Sequence, residues 1–142
     1  MTNIELTITE EINAPGALIW DALINPDKIK LYLFGTTTHC DWKVGSSLCF
    51  TGEWEGQHYE DKGTILAIET EKLLSYSYWS NFSGLPDVPE HYQIVSFRLE
   101  KAGDKTHLQL TQQNIRSEEA KSHSEQNWKM VLNSLKQLVE KG

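Results

Sequence analysis

Five histidines are the side chains here best suited to moving protons or holding metals, and their spacing argues against both roles. His39, His58, His91, His107 and His123 are dispersed, and no two share the helical spacing that sets two imidazoles on one face. His39 and Asp41 pair two possible ligands in a strand-turn, short of the three or four a metal site needs. Cys40 and Cys49 have no CxxC partner and no histidine at zinc spacing, so they read as free, reduced, half-buried thiols, with a disulfide between neighbouring strands as the alternative. GxSxG, P-loop, dinucleotide-binding glycine and HExxH patterns are all missing from the sequence. General acid–base work would need an inward carboxylate or histidine. Alternation places Glu10 inward at the end of the first strand, and His123 or Glu125 are the candidates on the last helix. The expectation is no cofactor, no metal and no catalytic residue, with an enzyme less favoured than a binding role.

The composition speaks through its rings. Five Trp, five Tyr and four Phe put much of the apolar surface into flat, rigid groups that pack cores and line ligand cavities. The net charge is -7, the only arginines are Arg98 and Arg116, and the lysines are scattered. A phosphate-tracking surface needs a basic stripe, so nucleic acid and anionic membrane are excluded as expected partners. No apolar stretch approaches the roughly 20 residues of a membrane span. Residues 1–5 lack the basic-then-apolar pattern of a signal peptide. A cytoplasmic protein is expected.

These side chains must be positioned by a mostly β chain. Ile4, Leu6, Ile8 and Ile12 alternate with polar residues, the period of a strand with one buried face. Pro15 suits the first turn of a helix carrying Leu18, Ile19, Ala22 and Leu23. Asn25 then caps a second short helix with Pro26 at its first position, running to about Leu33. Strands follow over 36–39, 47–54, 58–69, 73–80, 92–101 and 106–113, with Gly52 marking a bulge and 81–89 a loop. Tight turns between consecutive strands make an antiparallel meander. A last helix starts near Ser117. Its stripe of Trp128, Val131, Leu132, Leu135, Leu138 and Val139 seals a core, whereas 121–127 is almost devoid of apolar residues.

Four stretches, in this order, carry a resemblance. They are Ala14-Pro15 through Ile19-Trp20-Asp21-Ala22-Leu23, and Asp41-Trp42-Lys43-Val44-Gly45; then Gly63 to Glu69 with Leu74 to Trp79; and finally Trp128 through Leu132 to Leu135-Lys136. The chain resembles the START-like (SRPBCC, helix-grip) superfamily, and within it the homologues of the activator of the heat shock protein 90 ATPase. The resemblance implies one α+β domain over 1–142, a curved antiparallel sheet wrapped around the carboxy-terminal helix. It also implies a cavity between them, used by relatives for apolar small molecules. The co-chaperone relatives carry a second domain, whereas a single domain is the expectation for these 142 residues.

Strand parity and the resemblance together select the cavity lining: Phe34, Trp42, Phe50, Trp54, Tyr76, Tyr78, Phe97, Leu110, Gln112, Ser124, Trp128 and Leu132. Val95, Phe97 and Leu99 share a face that leaves Arg98 outside; Leu108, Leu110 and Gln112 face in and leave His107 outside. The loop with Phe82 and Leu85 is a candidate lid. Plain core packing is the competing reading for every ring. The expected function is binding of a small apolar or aromatic ligand. A co-chaperone-like partner of a chaperone is the alternative, and a cyclase or hydrolase using the same cavity comes third. Monomer or weak dimer is expected.

Overall fold

The alternation seen near the amino terminus becomes β1 (Leu6–Ile12), whose Leu6, Ile8 and Ile12 are buried and whose Thr7, Thr9 and Glu11 face water. The structure is a computed structural model that describes residues 3–33, 35–81 and 84–141, the side chain of Trp54 excepted. Two short helices follow, α1 (Gly16–Ile24) and α2 (Pro26–Tyr32). Pro15 sits one position before α1, as its N-cap, and its carbonyl accepts from the amides of Leu18 and Ile19. Asn25 caps α2 as expected, Oδ1 accepting from the Asp27 amide at 3.0 Å.

The meander comprises β2 (Thr37–Cys40), β3 (Ser47–Trp54), β4 (Gln57–Glu69), β5 (Leu73–Ser80), β6 (Gln93–Ala102) and β7 (Lys105–Gln113). With β1 it forms one antiparallel sheet of order β1-β7-β6-β5-β4-β3-β2. Glu55 and Gly56 both take positive φ, 50° and 81°, the backbone a two-residue hairpin between β3 and β4 requires.

The sheet's curvature has local causes, and one differs from expectation. No bulge lies at Gly52: the β3–β4 register runs unbroken through Gly52 opposite Tyr59. The Tyr59 ring crosses this position, and an added Cβ would lie 2.5 Å from its hydroxyl, so any larger residue would have to displace the ring. The register shift falls in β4 instead, between Ile65 and Ala67. It reverses parity, so that Ile65 is buried before it while Ile68, opposite Leu74, packs inward after it. Gly63 is the second cause. A Cβ there would sit 1.6 Å from the Ser77 carbonyl oxygen, so β4 and β5 approach where only glycine fits. The Ser77 hydroxyl accepts from the Thr64 amide at 2.9 Å beside this approach.

The last helix, α3 (Glu118–Glu140), begins at Ser117, whose hydroxyl accepts from the Ala120 amide at 3.1 Å. Its two unlike halves are as the sequence predicts. Val131, Leu132, Leu135 and Val139 are buried against the sheet and α1, whereas 118–127 contains no buried residue. Among the described residues no helix is long and apolar enough to cross a membrane. Cys40 and Cys49 are free and half-buried.

Candidate functional site

Where the polar half of α3 passes over the concave sheet, the two meet at Ser124 and Gln112 and otherwise stand apart. Between them lies a cavity of about 470 Å³. Inward positions of successive strands supply its walls: Phe50 from β3, Tyr59 and Asp61 from β4, Tyr76, Tyr78 and Ser80 from β5, Val95 from β6 and Gln112 from β7. Ser124, Asn127, Trp128 and Met130 of α3 form the opposite wall, with Leu33 and Thr36 between α2 and β2. Asn127 and Met130 are solvent-exposed and mark the mouth. No Lys, Arg or His is among these lining residues.

The floor is a file of rings. Phe50 and Tyr76 lie 6.1 Å apart, Tyr76 and Phe97 6.4 Å, and Phe97 meets Trp128 edge-on at 5.8 Å. Beneath this file Trp42, Phe97 and Leu74 border a second space of about 30 Å³, room for about one water. The rings therefore do pack on one another, yet leave the larger space open above them.

Polar groups are fixed at two ends. At one end, Gln112, only 5% exposed, accepts from the Trp128 indole Nε1–H at 2.8 Å. Its amide nitrogen donates to Gln93 and to the Ser124 hydroxyl, the latter at 3.5 Å. One buried amide thus ties α3 to β7 and β6. At the other end the Tyr78 hydroxyl donates to Asp61 Oδ2 at 2.6 Å. Thr36 and Tyr59 share a hydrogen bond of 2.5 Å between their hydroxyls.

Asp61 is the acid of the cavity. Burial pushes its carboxyl above the usual carboxylate range, against the opposing pull of the Ser80 and Tyr78 hydroxyls. Its Oδ1 is buried with no hydrogen-bond partner among the described residues. Burial likewise raises the phenols of Tyr76 and Tyr78, with the Asp61 charge adding to both, so these hydroxyls stay protonated donors.

The structure distributes the sequence-selected residues over three places. Phe50, Tyr76, Tyr78, Gln112, Ser124 and Trp128 line the cavity together. Trp42 and Phe97 line the small space beneath it, while Leu110 and Leu132, each 0% exposed, are sealed in the core behind it. Phe34 and the Trp54 side chain lie outside the described residues, as does Phe82.

Three expectations are corrected. Glu10 is opposite Leu108, half exposed and away from the cavity. His123 is a surface residue 4.0 Å from Glu119, and Glu125 faces Lys129 at 3.7 Å, so neither supplies an acid or base to the space. The described part of the 81–92 loop binds the outer face, where the Trp79 indole donates to the Leu85 carbonyl at 3.2 Å and Lys62 reaches Asp87 at 2.5 Å. It holds there because Trp79 and Lys62 have the opposite parity to the cavity-lining Tyr78 and Asp61, so it does not cover the mouth.

Sequence reasoning missed Leu33, Thr36, Tyr59, Asp61, Ser80, Asn127 and Met130, and put Val95 on the inward face without selecting it for the lining. Counting back in twos from buried Ile65 gives Gly63, Asp61 and Tyr59, and that alternation was available as a signal. The parity reversal at Leu66 hides it when counting forward from Ile68.

A curved antiparallel sheet closed by a long carboxy-terminal helix, with a cavity between them and two short helices after the first strand, is a helix-grip fold of the START-like class. The chain belongs to the family described as activator of Hsp90 ATPase homolog 1-like protein, whose model matches residues 13–140. A solution structure from Cytophaga hutchinsonii is 42% identical, with a TM-score of 0.85 over 98% of this chain and 95% of that one. A Mesorhizobium loti crystal structure is 23% identical, with a TM-score of 0.80 over 97% of this chain and 98% of that one. The Aha1 dimer from Colwellia psychrerythraea is 20% identical, with a TM-score of 0.75 and 96% of each chain covered. These last two share the fold. No functionally curated protein matches the sequence.

Proposed function

We propose that this chain is a cytoplasmic binding module that holds a small apolar or aromatic molecule between the sheet and α3. The observation that carries the reading is the cavity itself. Its roughly 470 Å³ falls within the range of about 300–1,000 Å³ typical of small-molecule sites. Its make-up supports the same reading: ring and aliphatic walls from Phe50, Tyr76, Val95 and Trp128, with fixed polar groups at Asp61, Tyr78 and Gln112. Such a pattern holds a ligand by apolar burial and orients it by a few hydrogen bonds. Native mass spectrometry of freshly purified protein tests it. A co-purifying small molecule that Val95→Trp displaces is expected; the same adduct on the filled variant places the molecule elsewhere and removes the reading.

A second reading has one specific observation behind it. A carboxyl raised by burial beside a tyrosine hydroxyl, as in Asp61 and Tyr78, is a pair able to exchange a proton with a bound molecule. This favours a cyclase or hydrolase using the same space, and a change in mass of the ligand on incubation would distinguish it from plain binding. A chaperone partner rests on family membership alone, and stimulation of a chaperone ATPase by this protein is its test.

A further inference from the structure

We propose that the cavity selects ligands carrying an ammonium group attached to an aromatic body, with the Asp61 carboxylate as the counter-ion. The inference rests on the binding reading above and narrows it to a ligand class.

Four features point the same way. First, Asp61 is the one carboxylate among the described lining residues, and no Lys, Arg or His stands with it. A carboxylate or phosphate ligand would bring negative charge into a partly dry space with no counter-charge, which is strongly unfavourable. Second, the two oxygens of Asp61 are not equivalent. Oδ2 accepts from Tyr78 at 2.6 Å and the Ser80 hydroxyl also acts on the carboxyl, while Oδ1 makes no geometric hydrogen bond among the described residues. A buried acceptor left unmade is costly, and an N–H donor that meets this oxygen once the carboxyl turns toward the cavity relieves that cost. Third, the walls near the carboxyl are aromatic: Tyr59 on the same strand, Tyr78 bonded to it, and Phe50 directly opposite it across β3–β4. Ring faces attract a cation and favour it over an equally large neutral group. Fourth, burial holds the empty site's carboxyl toward its neutral form, and an ammonium reverses that preference. If the carboxyl is protonated when the ligand arrives, its proton passes to solvent and the ion pair forms in its place. Tyr78 keeps its own proton and continues to donate to Oδ2, so it orients the carboxylate for the cation.

The other end of the cavity suits the remainder of such a molecule. Trp128 is held by Gln112, Val95 is opposite Gln112 across β6–β7, and Met130 borders the mouth. The ligand would therefore lie with its charged end at β4 and its apolar body along α3.

The test is isothermal titration of the intact protein at neutral pH with three probes of one shape: 2-naphthylmethylamine, 2-naphthalenemethanol and 2-naphthoate. The amine is expected to bind about tenfold more tightly than the alcohol, and the naphthoate more weakly than either. In Asp61→Asn the amine-to-alcohol ratio is expected to fall to about twofold or less, with the alcohol's own affinity within about threefold of wild type. Equal binding of amine and alcohol to the wild-type protein, or naphthoate binding as tightly as the amine, overturns the ammonium inference and leaves the cavity reading standing. Failure of all three probes to bind overturns both. The wild-type series decides the question without the variant, should Asp61→Asn fold poorly.

Discussion

Replacing Gly63 by alanine would place a methyl carbon 1.6 Å from the carbonyl oxygen of Ser77. The obstacle is backbone, so no rotamer change relieves it. Ordinary contact between such atoms is about 3.4 Å, and β4 and β5 would have to part by about 1.8 Å where strands normally sit about 4.8 Å apart. That parting breaks the Thr64–Ser77 bond and strains the neighbouring ladder bonds, each with a net contribution of about 1 kcal/mol. With the overpacking cost of about 1–3 kcal/mol, a loss of roughly 2–4 kcal/mol is expected. Urea unfolding followed by tryptophan fluorescence measures it. For a slope of about 2 kcal/mol per molar, the midpoint should fall by about 1–2 M. Gly56→Ala is the control: its φ of 81° disfavours alanine, but nothing lies within 4 Å of the added atom. It should lose only about 1–2 kcal/mol. A Gly63→Ala midpoint within about 0.3 M of wild type would refute the claim that a glycine-only approach of β4 and β5 shapes the cavity wall.

Two further outcomes follow from the polar ends of the cavity. The folded state holds a proton on Asp61 to higher pH than the unfolded chain does, so this group's contribution is present below the ordinary carboxylate range and lost as pH rises through its raised value. Asp61→Asn, which cannot ionise, should therefore gain thermal stability relative to wild type between acid and neutral pH; a pH-independent difference in melting temperature contradicts this. Gln112→Leu leaves the Trp128 indole N–H without its acceptor and should lower stability by about 1–3 kcal/mol, read by calorimetry, with a change in tryptophan emission. Unchanged stability and emission would mean that the amide does not anchor α3.

Much of this fold is legible because each element announces itself by one period. Alternation in Leu6–Ile12 and the stripe from Val131 to Val139 each have a single consistent reading, and both match the structure. The β6 and β7 parities also hold, placing Gln112 inward and leaving Arg98 and His107 outside. The site was half legible for a physical reason. Residues on regular strands, such as Tyr76, Tyr78 and Gln112, could be assigned by counting. Asp61 could not be found forward from Ile68, because the register shift at Leu66 exchanges the two faces of β4. Gly52 was misread for a related reason: glycine in a strand marks either a bulge or a close approach, and only the position of the Tyr59 ring tells them apart. Leu110 and Leu132 share parity with true lining residues but lie deeper along the same elements, a difference in depth that periodicity does not carry.

The claim that the space between sheet and α3 receives a small apolar molecule is tested most directly by mapping amide chemical shifts during titration with 2-naphthalenemethanol. The predicted result is saturable shifts confined to the amides around Tyr76, Tyr78, Val95, Gln112, Ser124 and Trp128, with the exposed Leu18 and Val44 unmoved. Shifts spread over the outer surface, or no shift at these six positions up to the probe's solubility, would contradict it.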